Sequence, residues 1–187
     1  MFRDEEVPLR LLRSLRDRGE RPLILLTSSH RPSRRTRSFI KDLEATIYGA
    51  VRLTRGHLSM DELGVIARGL NVERLVMLME RKGNPGIVVS FRPEERGLVE
   101  VTRLPIVGVT LRRELRSRVQ VNGCRGVYGV SERTFKVVDD VAKAFALQVL
   151  NEPVGNYLEV REEEGVYLIV PRSEKGFFSG PIIRVKP

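Results

Sequence analysis

The stretch Pro22-Leu23-Ile24-Leu25-Leu26-Thr27 is an unbroken apolar run of strand length, and it leads through Ser28-Ser29-His30-Arg31-Pro32-Ser33 into a helix-period segment over residues 33–48. An apolar run without alternation reads as a strand buried on both faces. In the segment after Ser33, steps of 100° per residue put Phe39, Ile40, Leu43 and Ile47 on one stripe, with Arg34, Arg37 and Lys41 opposite. Strand, loop and amphipathic helix in succession predict an α/β protein with helices packed on a mixed sheet.

Working outward, residues 7–18 read as a short amphipathic helix, with Val7, Leu9, Leu11, Leu12 and Leu15 among arginines, ended by Gly19. Residues 50–54 predict a second strand. Ser59-Met60-Asp61-Glu62 has the Ser-x-x-Glu form of a capping box and opens a helix with Leu63, Ile66, Ala67 and Leu70 on one face. Strands over 74–80 and 87–92 are joined by Lys82-Gly83-Asn84-Pro85-Gly86, and 98–102 adds another. In the second half, 105–111 reads as a strand, followed by a basic stretch over 112–125. Ser131 then caps a helix with Phe135, Val138, Ala142, Phe145 and Val149 at helical spacing, and strands follow over 157–161, 166–170 and 182–186. The divisions expected are a lead-in over 1–21, a first half over 22–104 and a second over 105–187. The likeness of the halves is architectural, with no internal sequence repeat.

The chain has 187 residues, 33 Lys+Arg against 24 Asp+Glu, a net charge of +9 and a pI near 10.3, which favours a polyanionic partner. Of the cations, 27 are Arg and 6 are Lys, and the planar arginine fork suits phosphate. The lone Cys124 leaves no internal disulfide or multi-cysteine zinc site, and His30 and His57 make a poor metal set, so neither metal nor cofactor is expected. With no apolar run of about 18 residues and a polar start at Met1-Phe2-Arg3-Asp4-Glu5-Glu6, a cytoplasmic protein without membrane contact is expected.

The charge is concentrated. Between Arg21 and Lys41 lie Arg31, Arg34, Arg35 and Arg37, with no acid in the window. Cations in the first turn of a helix oppose the macrodipole by about a few tenths of a kcal/mol each, so their gathering there points to an anion, with a nucleic-acid phosphate as the fit. The alternative is a solvated face pairing with Asp42, Glu44 or acids elsewhere. Arg81 and Lys82 in the turn, and Arg112, Arg113 and Arg116 in the basic stretch, extend the candidate surface. Aromatic residues are only 6% and Trp is absent, which argues against a broad base-stacking platform. Ser28, Ser29, Ser33 and His30 share the loop without a glycine cradle or an acid partner for His30, so no catalytic site is indicated. Glu162-Glu163-Glu164 reads as a solubilising hairpin tip facing away from nucleic acid.

Leu25-Leu26-Thr27-Ser28-Ser29-His30-Arg31-Pro32-Ser33, continued by Arg35-Thr36-Arg37-Ser38-Phe39-Ile40-Lys41-Asp42-Leu43, resembles the opening signature of the Brix domain family, particularly its short archaeal forms. Glu80-Arg81-Lys82-Gly83-Asn84-Pro85-Gly86 is similar to the family's turn after the central strand, and Gly180-Pro181-Ile182-Ile183-Arg184-Val185 to its closing strand. The resemblance implies two halves, each like the anticodon-binding domain of class II aminoacyl-tRNA synthetases. It implies a non-enzymatic role in ribosome biogenesis, as scaffold or RNA chaperone, on a ribosomal RNA precursor. A guide RNA and ribosomal or assembly-factor proteins are the implied partners, and eukaryotic relatives are nucleolar. Only the opening cations, Arg31, Arg34, Arg35, Arg37 and Lys41, carry over as site residues. Two other functions fit the residues: a tRNA-binding module of anticodon-binding type, and a small phosphoesterase or nucleotide-binding enzyme using the 27–33 loop.

Overall fold

The computed structural model describes residues 21–115 and 119–186. The expected helix over 7–18 and the candidate Arg116 lie outside these. The run that opened the sequence reading is β1 (Ile24–Ser28), buried at all five positions between two parallel neighbours, β2 (Ala50–Arg52) and β3 (Arg74–Arg81). It is apolar throughout because no face of it meets water. The helix α1 (Arg34–Thr46) connects β1 to β2, capped by Ser33, whose hydroxyl accepts from the Thr36 amide. Its buried face holds Phe39, Ile40 and Leu43, each gaining about 1.5–3 kcal/mol from burial. The capping box at Ser59 and Glu62 is formed, and it starts α2 (Met60–Gly69).

β3 turns at Lys82-Gly83 into β4 (Asn84–Glu94), so Asn84, Pro85 and Gly86 are strand residues rather than turn. Gly86 is required by contact, since a Cβ there would lie 3.0 Å from the Arg81 amide nitrogen. The strands expected over 98–102 and 105–111 are one strand, β5 (Gly97–Thr110), which runs through the position expected to divide the halves. Pro105 does not break it, being tolerated where no ladder donor is needed.

After β5 comes a 3-10 turn (Arg112–Glu114), and then β6 (Gly126–Gly129), a strand that the sequence does not signal, just beyond the basic stretch. Ser131 leads into a second 3-10 turn (Glu132–Thr134), and α3 begins only at Phe135, ending at Phe145 with Ala146 left-handed. The expected apolar stripe is therefore corrected at both ends. Phe135 is 62% exposed at the helix start and Val149 is 51% exposed beyond it in β7 (Gln148–Leu150), while Val138, Ala142 and Phe145 are buried as expected. The chain closes with β8 (Asn156–Glu163), β9 (Val166–Ser173) and β10 (Ile182–Val185).

All ten strands form one mixed sheet in the order β2-β1-β3-β4-β5-β10-β9-β8-β6-β7. Read from either edge, two parallel pairings are followed by two antiparallel ones, and the sequences meet where β5 pairs with β10, Thr110 against Ile182 and Gly108 against Arg184. The helices α1 and α3 share a single core on one side of the sheet, joining Phe39 and Leu43 to Val138, Val141 and Phe145. Because α3 follows β6 yet packs across β3, β4 and β5, the sheet curls around this core. A second core under α2 covers the other face of the first half, with Leu25, Val51, Leu63, Ile66 and Leu75.

Candidate nucleic-acid interface

The start of α1 is already occupied by an anion of the protein's own. Glu80, near the end of β3, accepts from the Ser33 amide at 2.7 Å and from the Thr36 hydroxyl. Burial works to raise its pKa, but the hydrogen bonds from Ser33 and Thr36, with Arg37 nearby, outweigh it and hold the carboxyl below its usual range. A carboxylate of the protein thus stands where a phosphate was expected, takes the Ser33 amide and offsets part of the helix dipole. The cationic side chains project around it.

The candidate cations divide by what they touch. Arg35 grips Glu114 in a two-pronged pair, with Nη2 to Oε2 at 2.9 Å, and donates to the Val109 carbonyl at 2.7 Å. Arg112 is a staple: its amide donates to Asp42 at 2.9 Å, its Nε to the Gly180 carbonyl at 3.0 Å, and its Nη2 to the Val121 carbonyl at 3.0 Å and to Asn122. Gly180 allows this approach, as a Cβ there would sit 2.9 Å from the Arg112 nitrogen. Both arginines thus direct several side-chain donors to protein groups, Arg35 to Glu114 and Val109 and Arg112 to Gly180, Val121 and Asn122. Arg37 is exposed and uses one donor on the Pro32 carbonyl at 2.9 Å. Arg31, Arg34, Lys41, Arg81, Lys82 and Arg113 are exposed. Arg31, at φ 50°, and Arg34 make no hydrogen bond or ion pair with another described residue.

Arg35 from α1 and Arg81 and Lys82 from the end of β3 and its turn line one open groove of about 550 Å³, with Asn84 and the 106–109 stretch of β5 as its floor. Arg184, which the charge pattern did not single out, also reaches this floor. It pairs with Gly108, its Cδ lies 3.5 Å from where a Cβ of Gly108 would be, and it donates to the Thr110 hydroxyl at 2.8 Å. Its only sequence signal was its place in the closing Gly-Pro strand. Arg112 and Arg113 line a separate groove of about 360 Å³ with Gln120 and Ser179.

The loop that suggested nucleophilic chemistry is held differently. His30 Nδ1 lies 3.0 Å from the Gly56 carbonyl, which can only accept, so this nitrogen carries the proton. Thr27 is buried and donates to the Leu53 carbonyl at 3.0 Å. Cys124 is buried, which pushes its thiol up to about 12. Among the described residues no three His, Cys, Asp or Glu side chains gather as a metal would need, and no helix is long and apolar enough to cross a membrane.

The structure is thus a mixed α/β protein with one ten-stranded sheet and a cation-lined groove beside the β5–β10 pairing. The comparisons make that specific: the chain belongs to the Brix domain family. A probable Brix domain-containing ribosomal biogenesis protein of Pyrococcus horikoshii is 34% identical over 159 residues, 84% of this chain and 64% of that one. The crystal structure of a probable ribosomal biogenesis protein from Aeropyrum pernix superposes with a TM-score of 0.76 at 32% identity, covering 89% of this chain and 97% of that one. A fission-yeast U3 small nucleolar ribonucleoprotein protein, from Schizosaccharomyces pombe, is 38% identical over 77 residues, 40% of this chain and 27% of its own. No family model matches the chain. The matches span about half to two thirds of the length of the first archaeal relatives.

Proposed function

We propose that this chain is a ribosome-biogenesis factor that binds a ribosomal RNA precursor through its phosphates and performs no chemistry of its own. The observation that carries the reading is the division of the arginines. Arg35 and Arg112 spend most of their donors at the join, whereas Arg31 before α1, Arg34, Arg37 and Lys41 on it, and Arg81 and Lys82 at the groove keep donors for an outside anion. Cations mounted on a helix and a tight turn, backed by a buried core, fit backbone and shape recognition of RNA. The relatives' names support the setting, and the small nucleolar relative supports a guide RNA and assembly proteins as further partners. The repeated strand order supports two halves, 22–104 and 105–187, each built like an anticodon-binding domain.

Salt dependence tests the phosphate reading. Six contacts predict that log affinity falls against log salt with a slope of about four to five, at 0.7–0.9 per contact. A flat response overturns it. Sequencing RNA crosslinked to the chain in cells should return ribosomal precursor. A library dominated by tRNA would instead favour a tRNA-binding module, which the same fold allows.

A further inference from the structure

At the far end of α1, Arg125 lies flat over the ring of Tyr48, its guanidinium carbon 3.4 Å from the ring centroid. The two come from different halves and are fixed together by backbone. The Tyr48 amide donates to the Cys124 carbonyl at 3.1 Å, the Cys124 amide to the Thr46 carbonyl at 2.7 Å, and Ile47 bridges Cys124 in parallel. Arg125 is exposed, Tyr48 is half-buried, and the guanidinium makes no hydrogen bond or ion pair with another described residue. A stacked arginine has one face against its aromatic partner and the other turned outward. It therefore presents a flat, cationic, pre-positioned surface with unspent N–H donors.

The pair also follows a row of cations. At 100° per residue, positions 34, 37, 41 and 45 fall within one third of the circumference of α1, and Arg34, Arg37, Lys41 and Ala45 are all exposed. That row is roughly 17 Å long at 1.5 Å per residue. α1 ends at Thr46 and Ile47 is extended, at ψ 131°, so Tyr48 stands just past the end of the helix. The three cations suit phosphates, and the ring with a guanidinium over it suits the flat face of a base.

We propose that the Arg125–Tyr48 pair is a nucleobase-stacking site, which takes one unpaired base of an RNA strand whose phosphates run along α1. The inference rests on the RNA-binding reading and adds a single-stranded preference to it. One such position is consistent with a chain whose aromatic content is too low for a stacking platform.

The test uses the full chain and a single-stranded oligoribonucleotide of about 12 nucleotides, within the footprint of single-strand binders. Each nucleotide is replaced in turn by an abasic one. One position should weaken binding about tenfold, the size of one lost stack. Arg125→Lys keeps the charge and removes the plane. It should bind the unmodified strand about tenfold more weakly, keep the salt slope, and lose its sensitivity to the abasic position. Tyr48→Leu should do the same, and a melting curve for each variant confirms that it is folded. A flat abasic profile in the unaltered chain, or Arg125→Lys with unchanged affinity and profile, overturns the stacking site while the salt slope leaves phosphate binding standing. An unaltered chain with no affinity and no slope overturns both.

Discussion

The two halves of the sheet have the same strand order, yet they close their outer faces by different means. In the first half α2 lies over β3, β4 and β5, and its Leu63 and Ile66 pack with Leu25, Val51, Leu75 and Met77 of the strands. In the second half the corresponding connection, between β7 and β8, is the short link 151–155 with no helix. The outer positions of β8 and β9 there are Tyr157, Glu159, Arg161, Leu168, Val170 and Arg172. Glu159 pairs with Arg172 at 2.8 Å and stands 3.8 Å from Arg161, which reaches on to Glu163 at 2.8 Å. Leu168 and Val170 are 7% and 1% exposed among these charged side chains, and no helix lies in the 151–155 link to cover them. One strand order thus supports either a hydrophobic or an ionic outer layer. The layer that cannot vary is the inner one, where α1 and α3 share a core.

The largest expected effect breaks the hydrophobic layer. Leu63, on the sheet-facing side of α2, is fully buried, and Leu63→Ala should cost about 3 kcal/mol, the transfer of the lost atoms plus the cavity left behind. Chemical denaturation measures it, and a loss below about 1 kcal/mol would mean that α2 only rests on the sheet. Glu159→Gln tests the ionic layer. Its carboxylate serves two arginines at 12% side-chain exposure, so removing its charge should cost about 1–2 kcal/mol, less than the leucine. Equal costs for the two variants would show that the outer layers are not held differently.

The sequence made the first half easier to read than the second for the same reason. β1 is buried on both sides and therefore apolar without a break, and α2 announces itself through Ser59 and Glu62. β6 and β7 carry no such signal. They are four and three residues long, β6 is Gly-Val-Tyr-Gly, and Val149 in β7 is exposed at the sheet edge. The serine signal at Ser131 and the apolar spacing out to Val149 made the expected helix too long at both ends. The 3-10 turn over Glu132–Thr134 delays its start to Phe135, and the left-handed Ala146 ends it after Phe145. At the candidate site, charge density located α1 and the β3–β4 turn but gave no sign of which arginines are spent. That depends on Glu114 and Val109, distant in sequence from Arg35 and brought to it as α1 packs on the sheet, and on Gly180, distant from Arg112 and brought to it by the β5–β10 pairing. Glu80 at the start of α1 escaped for the same reason.

The smallest effects in stability sharpen the comparison at the join itself. Arg35 and Arg34 are neighbours in sequence with opposite assignments. Arg35→Ala removes the Glu114 pair and the Val109 hydrogen bond, both partners being about a third exposed, and should cost about 1 kcal/mol. Its salt slope for RNA should stay unchanged, because that guanidinium meets no phosphate. Arg34→Ala should leave stability within about 0.5 kcal/mol and lower the slope by about 0.7–0.9, one contact's worth. Melting and salt titration of the two variants separate these roles. If Arg35→Ala reduced the slope as Arg34→Ala does, the pair with Glu114 would open when RNA binds, and the join between the halves would belong to the interface.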